Sequence, residues 1–177
     1  MFQSLFRQRG PKVVGRRLYD SAVERARQPL LYTEFAVPDT VEGRFELYSL
    51  HVILLLHRLK REGDQAAETA QALFDVFISQ LDHALREIGV GDLSVAKKMR
   101  KLGEAFYGRA KSYDAALADP ADVELAALIG RTAFESAGDA AHIAALTAYV
   151  RTVTTALATE PLEAVLEGRV DWPDFTA

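Results

Sequence analysis

Apolar residues recur three and four positions apart along most of the chain, which is the spacing that places side chains on one face of an α-helix. The pattern is densest over residues 40–61, where two apolar sets together cover most of the helix circumference. These sets are Val41, Phe45, Tyr48, Val52, Leu55 and Leu59, and Leu47, Leu50, Ile53, Leu54 and Leu56. A helix that is apolar on two sides is normally buried between neighbours, so we predict that this helix is the centre of the fold.

Six further helices are predicted from the same spacing and from the residues that interrupt it. They cover residues 11–28, 64–88, 93–118, 119–136, the stretch between Asp139 and Pro161, and residues 161–167. Residues 30–35 are expected to form one helical turn or an extended segment. No strand-like alternation is sustained, so the sequence predicts an all-α, single-domain bundle of about seven helices. Residues 1–10 are predicted to be a flexible basic N-terminus, and residues 11–177 the helical domain.

Helix starts are marked by residues whose side chains can accept a hydrogen bond from a free backbone N–H. Asp39 or Thr40 is expected to cap the central helix, with Glu42 completing a capping box after Asp39. The later helices are expected to start at Asp64, at Asp92 or Ser94, at Asp119 with Pro120, and at Asp139.

Charged residues form rows seven positions apart on two of the predicted helices. The central helix carries Arg44, His51 and Arg58, and the next helix carries Glu68, Asp75 and Asp82. If these helices are antiparallel neighbours, the two rows are placed to form ion pairs. Exposed pairs of this kind contribute little to stability.

The C-terminal tail, residues 171–177, is acidic and aromatic. Trp172 and Phe175 suit either a partner's groove or the chain's own surface. We expect them to fold back onto the body, because apolar side chains are usually covered by their own domain.

Composition narrows the class of protein. The chain has 177 residues, enough for one domain with a sizeable core, and it contains no cysteine. Disulfides, thiolate metal sites and cysteine nucleophiles are therefore excluded. The longest unbroken apolar run, Val52–Leu56, is far shorter than the roughly 20 residues that cross a bilayer. The N-terminus also lacks the apolar region of a secretory signal, so we expect a cytoplasmic protein.

Charge is distributed unevenly around a net charge of −4. Residues 1–30 contain seven basic and two acidic residues, whereas residues 119–177 contain three basic and ten acidic residues. The basic residues Arg7, Arg9, Lys12, Arg16, Arg17, Lys97, Lys98 and Lys101 are predicted to contact a membrane or a ribosome. Lysines in the first turns of a helix oppose its dipole, which favours an anionic partner. The alternatives are a solvated basic face and an RNA-binding module.

Motifs for catalysis are scarce. The chain has no Walker loop, no GxGxxG and no GxSxG. None of the four histidines follows a glutamate by three positions, as the ligands of helical di-iron proteins do. Asp139 with His142 is the only acid-x-x-His pair, and Asp139 is better explained as a cap. We therefore predict no catalytic residue, no metal and no cofactor, with a helical metal-dependent or small-molecule enzyme as the alternative.

Four segments carry a family resemblance. VPDTVEGRFELYSLH (37–51), RLKREG (58–63), LFDVFI (73–78) and LREIGVGDLSVAKKMRKLGEAFYGRAKSYDAAL (85–117) resemble the ubiquinol–cytochrome c chaperone family of alphaproteobacteria and mitochondria. The resemblance covers about residues 15–118. One departure is Gln80, two residues before Asp82, where the family often has an acidic residue.

The resemblance implies a helical assembly factor for ubiquinol–cytochrome c reductase rather than a catalyst. It also implies binding to newly synthesised cytochrome b, association with the ribosome or an anionic membrane surface, and peripheral placement at the inner membrane. Mitochondrial relatives act with a small partner chaperone, whose counterpart here is unknown. A holder of apolar helices needs an apolar groove rimmed by charges. As client-binding residues we predict Arg44, Tyr48, His51, Tyr107 and Arg109.

Overall fold

Helices make up all of the regular secondary structure in the computed structural model, which describes residues 10–175 apart from the side chain of Leu93. The eight helices are α1 (Pro11–Ala26), α2 (Leu30–Thr33), α3 (Val41–Leu59), α4 (Asp64–Glu87), α5 (Asp92–Ala118), α6 (Val123–Thr132), α7 (Ala140–Thr159) and α8 (Leu162–Leu166). The all-α prediction is confirmed. The helix beyond the predicted seven is α2, which the sequence pattern left as either a turn or an extended segment. Residues 1–9 of the predicted basic N-terminus lie outside the described range.

The helix α3 packs against α1, α4, α5 and α7. The middle and C-terminal turns of α3 are the buried part of the helix. Their apolar side chains are nearly inaccessible to solvent: Leu47, Leu50, Val52, Ile53, Leu54, Leu55 and Leu59. The first turns differ, because Val41 is 74% exposed and Phe45 and Tyr48 are half-buried. One end of the helix is therefore core, and the other end presents aromatic side chains near the surface.

The helices α1 and α4 approach each other closely at Gly15. A Cβ atom at Gly15 would lie 2.6 Å from the backbone carbon of Ala72 and 2.7 Å from the backbone nitrogen of Leu73. Real side chains do not reach such distances, so this crossing requires glycine. Val14 and Leu18 flank the contact and are buried with it.

The start of α3 is capped by Thr40. Its Oγ1 accepts a hydrogen bond from the N–H of Gly43 at 3.0 Å. Asp39 instead accepts from Arg44, so the predicted Asp39–Glu42 capping box is wrong and the Thr40 alternative is confirmed. A further cap is confirmed at α7, where Asp139 accepts from two backbone N–H groups, at 2.8 and 3.0 Å.

Three other predicted caps are wrong. The N-cap positions of α4 and α5 are Gly63 and Gly91, and neither helix start has a side-chain cap. Asp119 accepts from the N–H of Ala121 in a turn. The N-cap position of α6 is Asp122, three residues after the predicted cap Asp119. Acidic residues near a helix start are favourable through the helix dipole alone, so a sequence signal of this kind does not fix the cap position.

The two charged rows do not pair with each other. Arg44 binds Asp39, and Arg58 binds Glu62 and the backbone carbonyl of Glu160. His51 lies in the core. On α4, Asp82 accepts from Arg86 and Asp75 accepts from Gln71, each four residues away. The predicted ion pairs between α3 and α4 are therefore wrong, because most of these groups find partners near them in the chain.

The described part of the tail, residues 171–175, folds back as predicted. Residues 169–175 have no regular secondary structure after α8. Trp172 and Phe175 are half-buried and pack against the apolar core.

Candidate functional site

The predicted client-binding residue His51 is completely buried. Its Nδ1 lies 2.8 Å from the carbonyl oxygen of Leu47, and its Nε2 lies 2.8 Å from the hydroxyl of Tyr149. A carbonyl only accepts, so Nδ1 carries the proton and the Tyr149 hydroxyl donates to Nε2. The same hydroxyl accepts from Nε of Arg25 at 2.9 Å. The prediction that His51 lies on a basic surface edge is therefore wrong.

The surroundings of His51 keep its imidazole ring neutral. Burial, against the opposing hydrogen bond to Leu47 and with a smaller contribution from the nearby Arg25, lowers the pKa of the imidazole from 6.5 to about 4. The neutral ring is a structural link between α3 and α7, through Tyr149 on α7.

The predicted residues Arg44 and Tyr48 lie on the outer side of α3, next to α1. Arg44 is exposed and forms two hydrogen bonds with the Asp39 carboxylate, which lowers the pKa of Asp39. Nε of Arg27 on α1 donates to the Tyr48 hydroxyl at 3.0 Å, and its guanidinium lies 5.7 Å from the centre of the Tyr48 ring. An arginine on a tyrosine face is a common element of protein-binding surfaces.

The predicted residue Arg109 ties α5 to α3. Its Nε donates to Oε2 of Glu46 at 2.6 Å, and its Nη2 donates to the other carboxylate oxygen. The guanidinium also lies 5.7 Å from the centre of the Phe45 ring. The Glu46 side chain is only 10% exposed, and burial raises its pKa despite the pairing with Arg109.

The predicted residue Tyr107 is 62% exposed, the most accessible aromatic side chain in the described range. Its ring lies 5.3 Å from that of Phe74 on α4 and 6.3 Å from that of Phe106. Phe106 in turn contacts Phe77, with ring centres 4.7 Å apart. Tyr107 is thus the outer member of an aromatic cluster between α4 and α5.

The five predicted client-binding residues therefore do not converge on one groove. Arg44 and Tyr48 face α1, Arg109 faces Glu46 on α3, and Tyr107 faces α4. Two half-buried aromatic rings lie beside these residues, Phe45 next to Arg109 and Phe74 next to Tyr107. We call the exposed residues Arg44 and Tyr107, together with the half-buried residues Phe45, Tyr48 and Arg109, the α3–α5 surface.

The predicted membrane or ribosome contacts lie on two helices. Lys12, Arg16 and Arg17 are exposed on α1, and Arg16 pairs with Asp20 at 2.9 Å. Arg7 and Arg9 lie outside the described residues. On α5, the exposed residues Lys97, Lys98 and Lys101 have no ion-pair partner within residues 10–175.

Within the described part of the chain, no three histidine, aspartate or glutamate side chains are grouped so as to hold a metal ion. His57 on α3 and Lys60 directly after α3 both bind the carboxylate of Asp114 on α5, with 2.8 Å between Nδ1 of His57 and Oδ1. This cluster links two helices and pairs one acid with two bases. Over residues 10–175, no helix combines the length and apolar character needed to cross a membrane.

Comparisons with known proteins identify relatives. A family described as ubiquinol-cytochrome C chaperone matches residues 33–172. The Xenopus laevis protein named ubiquinol-cytochrome-c reductase complex assembly factor 1 is 25% identical over 162 residues, which cover 91% of this chain and 81% of that protein. The human protein of the same name is 28% identical over 163 residues, covering 91% of this chain but only 54% of the human protein.

A solved structure matches the fold. The crystal structure of the Cbp3 homolog from Brucella abortus has a TM-score of 0.84 and 39% sequence identity, covering 94% of this chain and 92% of that one. The predicted resemblance covers residues 15–118; the family match begins later, at residue 33, and extends further, through α6, α7, α8 and the start of the tail.

Proposed function

The chain belongs to the ubiquinol–cytochrome c chaperone family, and on that premise we propose that it assists assembly of ubiquinol–cytochrome c reductase by binding newly made cytochrome b. The observation that carries the proposal is the family match over residues 33–172, together with the shared fold of the Brucella abortus Cbp3 homolog. In this proposal the protein holds its client without a chemical reaction.

The α3–α5 surface is the proposed client contact. Cytochrome b, as an unfinished membrane protein, would present apolar helices and charged loops. Aromatic side chains with arginines beside them suit both, because the rings cover apolar atoms and the guanidinium groups bind carboxylates or carbonyl oxygens. Tyr107 supplies an exposed ring and Tyr48 a half-buried one, and Arg44 and Arg109 supply the charges. His51 has no direct part in this contact because it is buried.

The exposed lysines of α5 are the proposed contact with an anionic surface. Lys97, Lys98 and Lys101 lie in the first turns of α5, together with Arg100. An anionic membrane or ribosomal RNA would be attracted by this charge, and both attractions weaken as salt rises. Such a contact would keep the protein at the place where cytochrome b is made and inserted.

The function is tested by deleting the gene and measuring assembled reductase in isolated membranes. We expect the reductase to be lost while another respiratory complex in the same membranes is retained, because the proposed client belongs only to the reductase. The wild-type gene should restore assembly. A deletion strain with a normal amount of reductase would contradict the proposal.

The surface assignment is tested by complementing that strain with variants. Replacing Tyr107 and Arg44 with alanine should reduce assembled reductase at unchanged protein level, since both side chains are exposed and removed without a cavity. The matched control is Val123→Ala on α6, where a 66% exposed apolar residue lies on another helix. Equal assembly in both strains would place the client elsewhere.

A further inference from the structure

The last described residues, 171–175, cross the surface formed by α1, α3 and α7; we call them the C-terminal segment. Within the described range this segment forms no backbone–backbone hydrogen bond with any helix. Its one backbone donor bond runs from the N–H of Asp171 to the carboxylate of Glu160, at 3.2 and 3.3 Å. The segment is therefore held mainly by its side chains.

The first anchor of the segment is Trp172. Its indole Nε1–H donates to Oγ of Ser21 on α1 at 2.8 Å. The indole also meets the His51 ring edge-on, with 5.5 Å between ring centres. A buried indole N–H usually requires such a partner, so Ser21 gives this position a preference for tryptophan.

The second anchor is Phe175, three residues later. Its ring stacks on Tyr149 of α7, with 5.1 Å between centres and 19° between planes, and lies 5.9 Å from the ring of Phe35. The guanidinium carbon of Arg25 lies 3.5 Å from the centre of the Phe175 ring. The Phe175 ring is thus held between two aromatic rings, those of Tyr149 and Phe35, and the guanidinium group of Arg25.

Between the anchors, Arg25 also binds the peptide backbone. Its Nη2 donates to the carbonyl oxygen of Pro173. Arg25 is half-buried, and no carboxylate within residues 10–175 pairs with it. Its remaining partner is the Tyr149 hydroxyl, so the C-terminal segment supplies two of the groups that this cation contacts.

The floor of this groove is built by residues of α1, α3 and α7. Ser21 and Arg25 are one turn apart on α1, and His51 and Tyr149 are joined by their own hydrogen bond. The occupant, by contrast, has no regular secondary structure and remains partly exposed. Pockets for particular side chains, combined with hydrogen bonds to the backbone, are a known basis of peptide recognition.

We propose that this groove is a binding site for a non-helical protein segment carrying two aromatic side chains three positions apart, and that residues 171–175 are its resting occupant. A partner with the same aromatic pair would displace the C-terminal segment. Because the segment is tethered, its effective concentration is on the order of millimolar, so the partner must bind more tightly than the free tail peptide would. The site is separate from the α3–α5 surface and holds whether or not that surface binds cytochrome b.

The test uses the full chain with Trp172→Ala and Phe175→Ala, which vacates the groove. Trp172 is the only tryptophan in the sequence, so this variant contains none. A synthetic peptide of residues 169–177 then carries the only tryptophan, and its emission reports binding. We expect a saturable blue shift, at least tenfold weaker binding of the peptide with Phe175→Ala, and competition by a Gly/Ser peptide that keeps only the tryptophan and phenylalanine at this spacing.

Two further chain variants test the groove itself. When Arg25→Ala is added to the vacated chain, peptide binding should weaken at least tenfold. When Arg27→Ala is added instead, binding should be unchanged, because Arg27 contacts Tyr48 outside the groove. The wild-type chain should bind a dye-labelled tail peptide at least tenfold more weakly than the vacated chain, because its own segment competes.

Three results would overturn the proposal. The first is a vacated chain that loses its helical circular dichroism, since the segment would then be part of the core. The second is a folded vacated chain that binds the tail peptide no better than a scrambled one. The third concerns the single variant Phe175→Ala in the full chain. We expect its Trp172 emission to shift to longer wavelength while its helicity is unchanged. An unshifted emission would show that the two anchors do not act together, and would overturn the proposal.

Discussion

The buried histidine on α3 shows how a polar side chain becomes part of a core. His51 receives a hydrogen bond from Tyr149 and gives one to Leu47, so both ring nitrogens are satisfied without charge. Protonating Nε2 would remove the acceptor of the Tyr149 hydroxyl proton and would place a second positive charge beside Arg25. The arrangement is stable only with a neutral ring.

This neutrality makes stability depend on pH. The pKa of His51 is about 4 in the folded chain against 6.5 ordinarily, so between these values the unfolded chain binds an additional proton. The free energy of unfolding should therefore be fully retained above pH 6.5 and should fall by at most about 1.4 kcal/mol per pH unit toward pH 4. Urea denaturation at pH 7, 6 and 5 measures this slope.

Two variants identify the group responsible. His51→Gln should lose most of the slope between pH 6.5 and 5, whatever its effect on stability at pH 7. His83→Gln, at an exposed position on α4, should retain it. A slope that is the same in all three chains would assign the pH dependence to other groups.

A second prediction at the residue scale concerns the pair of Glu46 and Arg109. Arg109→Met leaves the Glu46 carboxylate, which is 10% exposed, without its cation. We expect the free energy of unfolding to fall by about 1–3 kcal/mol, the cost of a buried acceptor that loses its partner. Adding Glu46→Gln should recover part of this loss, as measured by urea denaturation of both variants. A double variant less stable than Arg109→Met alone would contradict this account of the pair.

Single residues were the least predictable part of the molecule. The seven-residue spacing of Arg44, His51 and Arg58 is a real helical row, but it does not say which members face solvent. The partner of His51 is Tyr149, 98 positions later in the chain. The pairing of Arg109 with Glu46 spans 63 positions. Such partners follow from packing between helices, which spacing within one helix does not report.

Elements were more predictable than residues, because the spacing of apolar side chains is local. It gave every long helix, with ends within a few residues of those observed, except that α6 is shorter at both ends than the predicted 119–136. Its C-terminal neighbours Glu135 and Ser136 have positive φ angles of 49° and 64°, which no propensity predicts. Two predicted caps agree with the structure, Asp139 and the Thr40 alternative, and in both the side-chain oxygen accepts from backbone N–H groups two or three residues later.

The crossing of α1 and α4 provides a test at this scale. Gly15→Ala should lower the free energy of unfolding by about 1–3 kcal/mol, because the new methyl group would meet the backbone of α4. The matched control is Gly103→Ala in α5, where no atom lies within 4 Å of the added carbon. That change should raise stability by about 0.5–1 kcal/mol through helix propensity.

Thermal and urea denaturation of the two alanine variants give the comparison directly. We expect the two changes in the free energy of unfolding to have opposite signs, because the substitution is chemically identical and only the surroundings differ. Destabilisation by Gly103→Ala that equals the effect of Gly15→Ala would show that the close approach of α1 and α4 is not what limits position 15.

On the scale of the whole molecule, the charged and aromatic surfaces are separate. The lysines of α5 lie on its first turns, and the α3–α5 surface begins about two turns later, at Tyr107. Replacing Lys97, Lys98 and Lys101 with glutamine should weaken binding to vesicles rich in anionic lipid and reduce its salt dependence, with stability unchanged. Vesicle sedimentation at two salt concentrations measures both effects.

The control for this prediction carries the same change in net charge. Replacing Arg61, Lys111 and Arg131 with glutamine removes three exposed cations from other positions. If both triple variants lose vesicle binding equally, overall charge rather than the α5 lysines attracts the membrane. If neither binds less than the wild type while ribosome association falls only in the α5 variant, the anionic partner is RNA.

The most direct test of the client proposal is photocrosslinking to pulse-labelled cytochrome b in living cells. A photoreactive phenylalanine is placed at Tyr107, at Tyr48 or, as the control, at Val123, which is similarly exposed on α6. The account predicts labelled cytochrome b attached at Tyr107 and Tyr48 during the pulse, declining as the reductase assembles, and little at Val123. Absence of labelled cytochrome b at all three positions, or equal labelling at Val123, would contradict it.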